Sequence, residues 1–354
     1  PISLLNSVYG KVDSPDFPWP MPVDEAGLCA DGHQRRYLWT DAFGVLAFVS
    51  IAEQFEQAGQ LEQAKQYRLA TEKLIDTVHT CLGISRSNKA EDAMQKDSNP
   101  KSPTGYIGLR IGKVDSNQVT DYGMRFDGQY WHYMDKWLLA LARAGHVEQG
   151  IQIAKSCFPY FFDDSSSQAG GGGIRWKLSV DSTPPPGLER AQASDDTLVA
   201  LIVFSILQAQ RTSTSSSLAD EIDLVQNSLV GYRPRVTDDP LGWRLECMFD
   251  QFLEGQPRQR TLASLQSSAL DSSHFSLPFR LYGAILGARV AGERVAPQEK
   301  IDELMEMALQ HENRIIATGG TEAHSSINRV MLAMCLLCPG ALGRRSGDPW
   351  IKLE

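Results

Sequence analysis

Hydrophobic and polar positions along the chain follow a helical period, and they alternate between two kinds of helix. In 60–82, Tyr67, Ala70, Leu74, Val78 and Cys81 recur at three- and four-residue steps, with Glu62, Lys65, Lys73 and Asp76 between them. That spacing predicts an amphipathic helix with one face on a core. Residues 297–312 repeat it with Ile301, Leu304, Met305 and Ala308, and Pro297 stands in the first turn, where its missing N–H costs nothing. Segments 146–158, 217–230 and 259–270 are weaker versions. The other kind is apolar on most faces: 38–55, 127–144, 194–210, 243–254, 276–291 and 324–337. A helix without a polar face belongs inside. The chain therefore reads as buried helix, outer helix, repeated, with six buried and five outer helices. A sixth outer one is left to irregular terminal segments.

Each buried helix opens on a polar or aromatic cluster: "YLWTDAFG", "RFDGQYWHY", "ASDDTLVA", "GWRLECMF", "SSHFSLPFR" and "TEAHSSINR". Two glycine loops, "GYIGLRIGK" (105–113) and "GGGGIRWKL" (170–178), share a Gly-Leu/Ile-Arg core, and each precedes a buried helix. They read as equivalent loops of a repeated unit, built as short β-hairpins. The polar stretch 86–104 reads as a mobile loop and 181–192 as a proline-stiffened connection. Helical alternation runs across both, so the expectation is a single all-α domain over 1–354, with 1–32 and 341–354 as irregular terminal segments.

Alternating inner and outer helices, with polar clusters at the inner starts, resemble an (α/α)6 barrel, or toroid, with short β-hairpin loops at its funnel end. The likeness is to the six-hairpin glycosidase superfamily and the N-acylglucosamine 2-epimerase-like proteins. The phrases "WTDAFG", "GLRIGK", "FDGQYWHYMDKW" and "TGGTEAHSSINR" also resemble a group of bacterial and fungal proteins of unassigned activity. The resemblance covers roughly 33–340. It implies a fold and a place for the chemistry, the funnel at the end where inner helices start. It assigns no role to a residue, because function belongs to sites rather than folds.

Composition narrows the function classes. With 42% hydrophobic and 22% charged residues the chain affords a large core, and a formal charge of −9 argues against a nucleic-acid partner, which calls for a basic face. The longest apolar run, "LVALIVFSIL" at 198–207, is too short for the roughly 18–20 residues of a membrane span. The first residues lack the pattern of a signal peptide. Six scattered cysteines, Cys29, Cys81, Cys157, Cys247, Cys335 and Cys338, read as reduced thiols of a cytoplasmic protein. The CxxC of "MLAMCLLCPG" sits at an apolar helix end with no second pair, so it reads as packing. Neither the zinc set of lanthionine cyclases, nor the DxDD of class II terpene cyclases, nor a phosphate or dinucleotide loop is present. The expectation is no cofactor and no metal, a small-molecule substrate, no nucleic acid, no membrane, and a monomer or homodimer.

Candidate acids and bases are Asp41, Asp127, Asp195, Glu322 and His324. A carboxylate against aromatic rings has a raised pKa and serves as a general acid, whereas a carboxylate at a helix start is also a first-turn charge or cap. In "ASDDTL", Ser194 reads as the cap and one of Asp195 and Asp196 as first-turn charge. In "TGGTEAHSSINR", Glu322 and His324 suit proton transfer, or Glu322 pairs structurally with Arg329. Candidate binding residues are Trp39, Tyr130, Trp131, His132, Trp176, Trp243 and His274, with Glu246 and Arg329. Arg110 and Arg175 on the glycine loops read either as carboxylate or phosphate ligands or as clamps between hairpins.

Three functions compete. The first is a cofactor-free enzyme acting on a sugar or glycoside, by hydrolysis or epimerisation. Paired carboxylates about 6.5–9.5 Å apart would imply inverting hydrolysis and about 5–5.5 Å retaining hydrolysis. The second is a cyclase or isomerase that shapes an apolar terpenoid or polyketide intermediate. The third is a binding protein without chemistry.

Overall fold

A computed structural model describes residues 1–12, 36–83, 94–112, 127–163, 172–185, 187, 196–230, 247–254, 278–291, 297–317 and 325–353. Ten α-helices occur among them. They are α1 (Ile2–Tyr9), α2 (Leu38–Gln57), α3 (Leu61–Leu82), α4 (Trp131–Ala144), α5 (Val147–Phe161), α6 (Asp196–Gln210), α7 (Ala219–Ser228), α8 (Pro278–Ala291), α9 (Gln298–Ala317) and α10 (Ser325–Leu337). Two 3-10 segments, Cys247–Phe252 and Gly340–Leu342, and four two-residue strands complete the list: β1 (Gln129–Tyr130), β2 (Phe162–Asp163), β3 (Gly173–Ile174) and β4 (Lys177–Leu178). The class is all-α.

The division into buried and outer helices is visible in burial. Every residue of α2 from Leu38 to Ala52 is buried. In α3, only the stripe through Tyr67, Ala70, Leu74, Val78 and Cys81 and its flanks is. Packing follows a fixed order. Helix α2 lies against α4, α4 against α6, α6 against the 3-10 segment Cys247–Phe252, that segment against α8, α8 against α10, and α10 against α2. The outer helices sit behind these: α3 on α2, α5 on α4 and α6, α7 on α6, α9 on α8 and α10. The predicted outer helix 259–270 lies outside the described residues.

The N-terminal segment expected to be irregular contributes α1, which packs on α10. It seats through Tyr9, whose hydroxyl donates to the Thr40 carbonyl at 3.1 Å and to Asp41 Oδ1 at 3.2 Å. Gly44 makes this approach possible, because a Cβ there would lie 2.2 Å from the Tyr9 oxygen. At the other terminus, Arg143 of α4 forks onto both carboxylate oxygens of Asp348 at 2.8 and 2.6 Å, in full burial.

The helix expected from 127 begins at Trp131. Gln129 and Tyr130 are extended instead and pair antiparallel with Leu178 and Lys177. The loop 170–178 likewise does not fold on itself as a hairpin. Its strand β3 pairs with β2 at the end of α5, and β4 pairs with β1 at the start of α4. Backbone groups that a hairpin would pair internally are used to tie helix ends together.

The two glycine loops do this in the same way. The Arg110 amide donates to the Leu82 carbonyl, the last residue of α3, and the Ile111 carbonyl accepts from Leu38, the first residue of α2. The Arg175 amide donates to the Phe161 carbonyl, the last residue of α5, and the Trp176 carbonyl accepts from Trp131, the first residue of α4. The arginine side chains repeat the motif. Arg110 Nη2 donates to Cys81 O at 2.6 Å, and Arg175 Nη1 to Tyr160 O at 3.1 Å. Helix ends carry unpaired carbonyls at one terminus and unpaired N–H groups at the other. One loop meets both needs in each hairpin, which fits the lack of any side-chain cap on α2 or α4.

Each arginine also pairs with an aspartate: Arg110 with Asp127 at 3.1 Å and Arg175 with Asp163 at 3.2 Å. The first pair is the more buried, with side chains 10% and 3% exposed. Removing one partner of a buried pair strands a charge, at a cost of about 3–5 kcal/mol. Arg110→Met should therefore lower the urea midpoint strongly, and Arg175→Met, whose guanidinium is partly wet, should lower it less. Equal small effects in urea melts would refute the clamp assignment.

Candidate functional site

The starts of α2 and α4 meet in an aromatic cluster. Trp39 packs against Phe43, Tyr133 and His132, with ring centres 5.3, 5.1 and 6.1 Å apart. His132 stands edge-on to Tyr133 at 4.6 Å and to Tyr130 at 5.7 Å. The hydroxyls of Tyr37 and Tyr133 share a hydrogen bond. Trp176 of the second loop closes on Tyr130 at 5.4 Å, and Lys177 Nζ lies 5.1 Å from the Tyr130 ring centre. Arg280, in the first turn of α8, is within electrostatic reach of Tyr133. Trp39, Tyr130 and Tyr133 are buried, while His132, Trp176 and Arg280 are partly exposed and form the rim. Burial pushes the Tyr133 hydroxyl up to about 12, so it is a neutral donor at physiological pH. Trp39 Nε1 is a buried donor with no acceptor among the described residues.

The candidate acids take different places. Asp41 is in the first turn of α2, held by Arg36 at 3.2 Å and by the Tyr9 hydroxyl. Burial pushes its carboxyl up, and the Arg36 charge pulls the other way. Asp127 accepts from the Gly112 amide at 2.9 Å as well as from Arg110. Both aspartates are thus built into joints between elements, which supports the structural reading of each. Arg110 and Arg175 are the clamps described above. Trp131 faces away from the cluster and into the core, against Phe158, Phe161 and Phe204. Arg329 of α10 donates to Glu312 of α9 at 2.7 Å and to Ser7 of α1 at 3.3 Å, tying both helices to α10. Asp196 opens α6 and is buried. Asp195, Trp243, Glu246, His274, Glu322 and His324 lie outside the described residues.

One pair escaped the reading of the sequence. Asp135 and Lys136 lie in the second turn of α4, with side chains 0% and 4% exposed and Nζ 2.9 Å from Oδ1. Among the described residues the polar partners of the Asp135 carboxylate come from Lys136, its ammonium and its amide, and neither makes a hydrogen bond of good geometry. Burial pushes this carboxyl up to about 6 against the pull of Lys136. Lys136 follows His132 by four residues and Tyr133 by three, so it lies one turn below them on the same helix face. Its Nζ is 5.1 Å from the centre of the Phe249 ring, in the 3-10 segment Cys247–Phe252. The available signal was a charged "DK" inside an otherwise apolar helix.

The thiols Cys81, Cys157 and Cys335 are buried and Cys338 is half-buried. Cys335 donates to the Tyr282 carbonyl, and burial pushes Cys338 up to about 12, so both act as packing groups. Among the described residues no set of three or more His, Cys, Asp or Glu side chains is placed to hold a metal ion. No described helix is long and apolar enough to cross a membrane. A surface cavity of about 360 Å³ lies away from the aromatic cluster, between α7 (Asp223, Gln226, Asn227) and the C-terminal Lys352 and Leu353. No protein-family model matches the chain, and no curated protein and no solved structure matches it.

Two buried groups give the site region opposite pH slopes. Trp137 Nε1 donates to His79 Nε2 at 3.2 Å, and burial lowers the imidazole from 6.5 to about 4. The unfolded chain then binds the proton more readily, so stability is full above pH 6.5 and is lost as pH falls towards 4, by on the order of 3 kcal/mol. Asp135 runs the other way, contributing stability below 3.8 that is lost as pH rises through about 6. His79→Gln should remove the acid-side loss. Urea melts at pH 7 and pH 4 should then show the variant gaining on the parent by on the order of 3 kcal/mol at the lower pH; a constant difference would show that His79 is not buried neutral.

Proposed function

We propose that the six inner segments close an (α/α)6 toroid and that the protein is a cofactor-free enzyme. It binds a sugar or glycoside on the aromatic cluster and moves a proton there, as an epimerase does. The packing order of the inner segments, which returns from α10 to α2, supports the toroid. The observation that carries the function is His132, partly exposed and bracketed by Trp39, Tyr130 and Tyr133. An imidazole exchanges protons near neutral pH. Aromatic rings bury the apolar face of a sugar, and the Tyr37–Tyr133 hydroxyl pair supplies a neutral donor for a carbonyl oxygen.

Epimerisation is favoured over hydrolysis because the described carboxylates do not flank an open site as a pair. Asp41 and Asp127 are each engaged by an arginine. A second reading, a cyclase holding an apolar terpenoid or polyketide intermediate, is favoured by the density of rings around the His132 imidazole. A non-catalytic binding role is the third. The free thiols among the described residues support a reducing, cytoplasmic setting.

A thermal-shift screen with sugars and glycosides against terpenoids and polyketides tests the choice. The expected result is a raised Tm with a class of sugars. On a sugar found this way, His132→Gln should cut kcat about 100-fold or more, the usual contribution of a general acid or base, with Tm unchanged. Shifts from terpenoids alone would overturn the sugar reading in favour of the cyclase.

A further inference from the structure

Asp135 and Lys136 pose a physical problem. Two charges in full burial lose their hydration, and adjacent residues on a helix are poorly placed to satisfy one another. A buried pair is sustained when further hydrogen bonds meet its remaining lone pairs and protons. Among the described residues the carboxylate receives its neighbour's ammonium and amide alone, at poor angles, and the ammonium rests on the Phe249 ring. Phe249 belongs to the segment Cys247–Phe252, so the Lys136 side chain reaches from α4 to another of the elements in the packing order. The face of α4 that carries it also carries the partly exposed His132, one turn nearer the start of the helix.

We infer that Asp135 and Lys136 form the recognition site for a vicinal diol, the hydroxyl edge of the sugar that the proposed function places on the aromatic cluster. The inference rests on that reading and sharpens it. The carboxylate accepts hydrogen bonds from two neighbouring hydroxyls, and the ammonium donates to one of their oxygens. A diol is both donor and acceptor at adjacent atoms, and so meets the needs of a fixed anion and cation side by side. The ring's apolar face then lies against Trp39 and Tyr133, and Trp39 Nε1 gains the acceptor it lacks among the described residues. An apolar intermediate would leave both charges unsolvated, so this pair selects against it.

The test separates a binding pair from a structural one. Replacing a buried ion pair wholly by apolar groups is often neutral or stabilising. Asp135→Leu/Lys136→Met should therefore keep or raise Tm while weakening the sugar found in the thermal-shift screen at least about tenfold by calorimetry. Full affinity in a stable double variant overturns the inference. Deoxy analogues of that sugar, titrated into the unaltered protein, provide a measurement that does not depend on how the variant folds. Loss of one of two adjacent hydroxyls should cost about tenfold or more, because a buried charge is left unpaired. If no single deletion costs more than about twofold, the pair does not read a diol and only this inference falls. If no hexose, N-acetylhexosamine or methyl glycoside binds at all, the sugar reading falls and this inference with it.

Discussion

The structure depends on how the ends of its helices are satisfied. Long, largely apolar inner helices cannot cap themselves with polar side chains at every buried end, and a buried unpaired amide or carbonyl is costly. Two loops resolve this by the same device. The residue after the arginine accepts the first N–H of an inner helix, the arginine amide donates to the last carbonyl of its outer partner, and the guanidinium caps the carbonyl before that. Each hairpin is thereby fixed at one end, and that is the end where the aromatic cluster forms.

Fixing that end also decides the fate of its charges. Asp41, Asp127 and Asp163 all lie near helix ends, and each has been given an arginine. The Arg110 and Arg175 pairs fasten the two loops beside the start of α4 and the end of α5, and Asp41 also takes the Tyr9 hydroxyl that seats α1 on α2. They leave Asp135 and Lys136 as the charged groups of the α4 start that no joint explains. The two kinds of pair differ in their surroundings. Asp41 and Asp127 have donors fixed on other elements, Tyr9 for the first and Arg110 and Gly112 for the second, whereas among the described residues Asp135 is met by its own neighbour. Among the described residues, the start of α4 thus brings together a cluster of rings, a partly exposed imidazole and a neighbour-paired carboxylate.

Much of the fold was legible from period alone. The apolar stripe of 60–82 and the all-apolar 38–55 come out as α3 and α2, because burial of one face or of every face is a property of the residue pattern itself. The equivalence of the two glycine loops was also legible, from the shared Gly-Leu/Ile-Arg core. Their form was not. A local reading folds each loop on itself, whereas β3 pairs with β2 at the end of the preceding helix and β4 pairs with β1, far back in the sequence at the start of α4. The helix α1 was missed because eight residues with no charged face give little periodic signal, and its place is set by Tyr9 reaching over Gly44.

The site divides along the same line. The sequence by itself determined that the inner helix starts carry aromatics and acids, since composition and spacing are local facts. Which aspartates became joints, and which carboxylate is met among the described residues by its own neighbour alone, was decided by tertiary structure. Asp127 is separated by seventeen positions from the arginine that holds it, and Asp41 by more than thirty from Tyr9. Trp131 and His132 are neighbours in the chain, yet one turns to Phe161 and the other to Trp39. A helix sends successive side chains about 100° apart, and only the packed neighbours determine which direction is core and which is site.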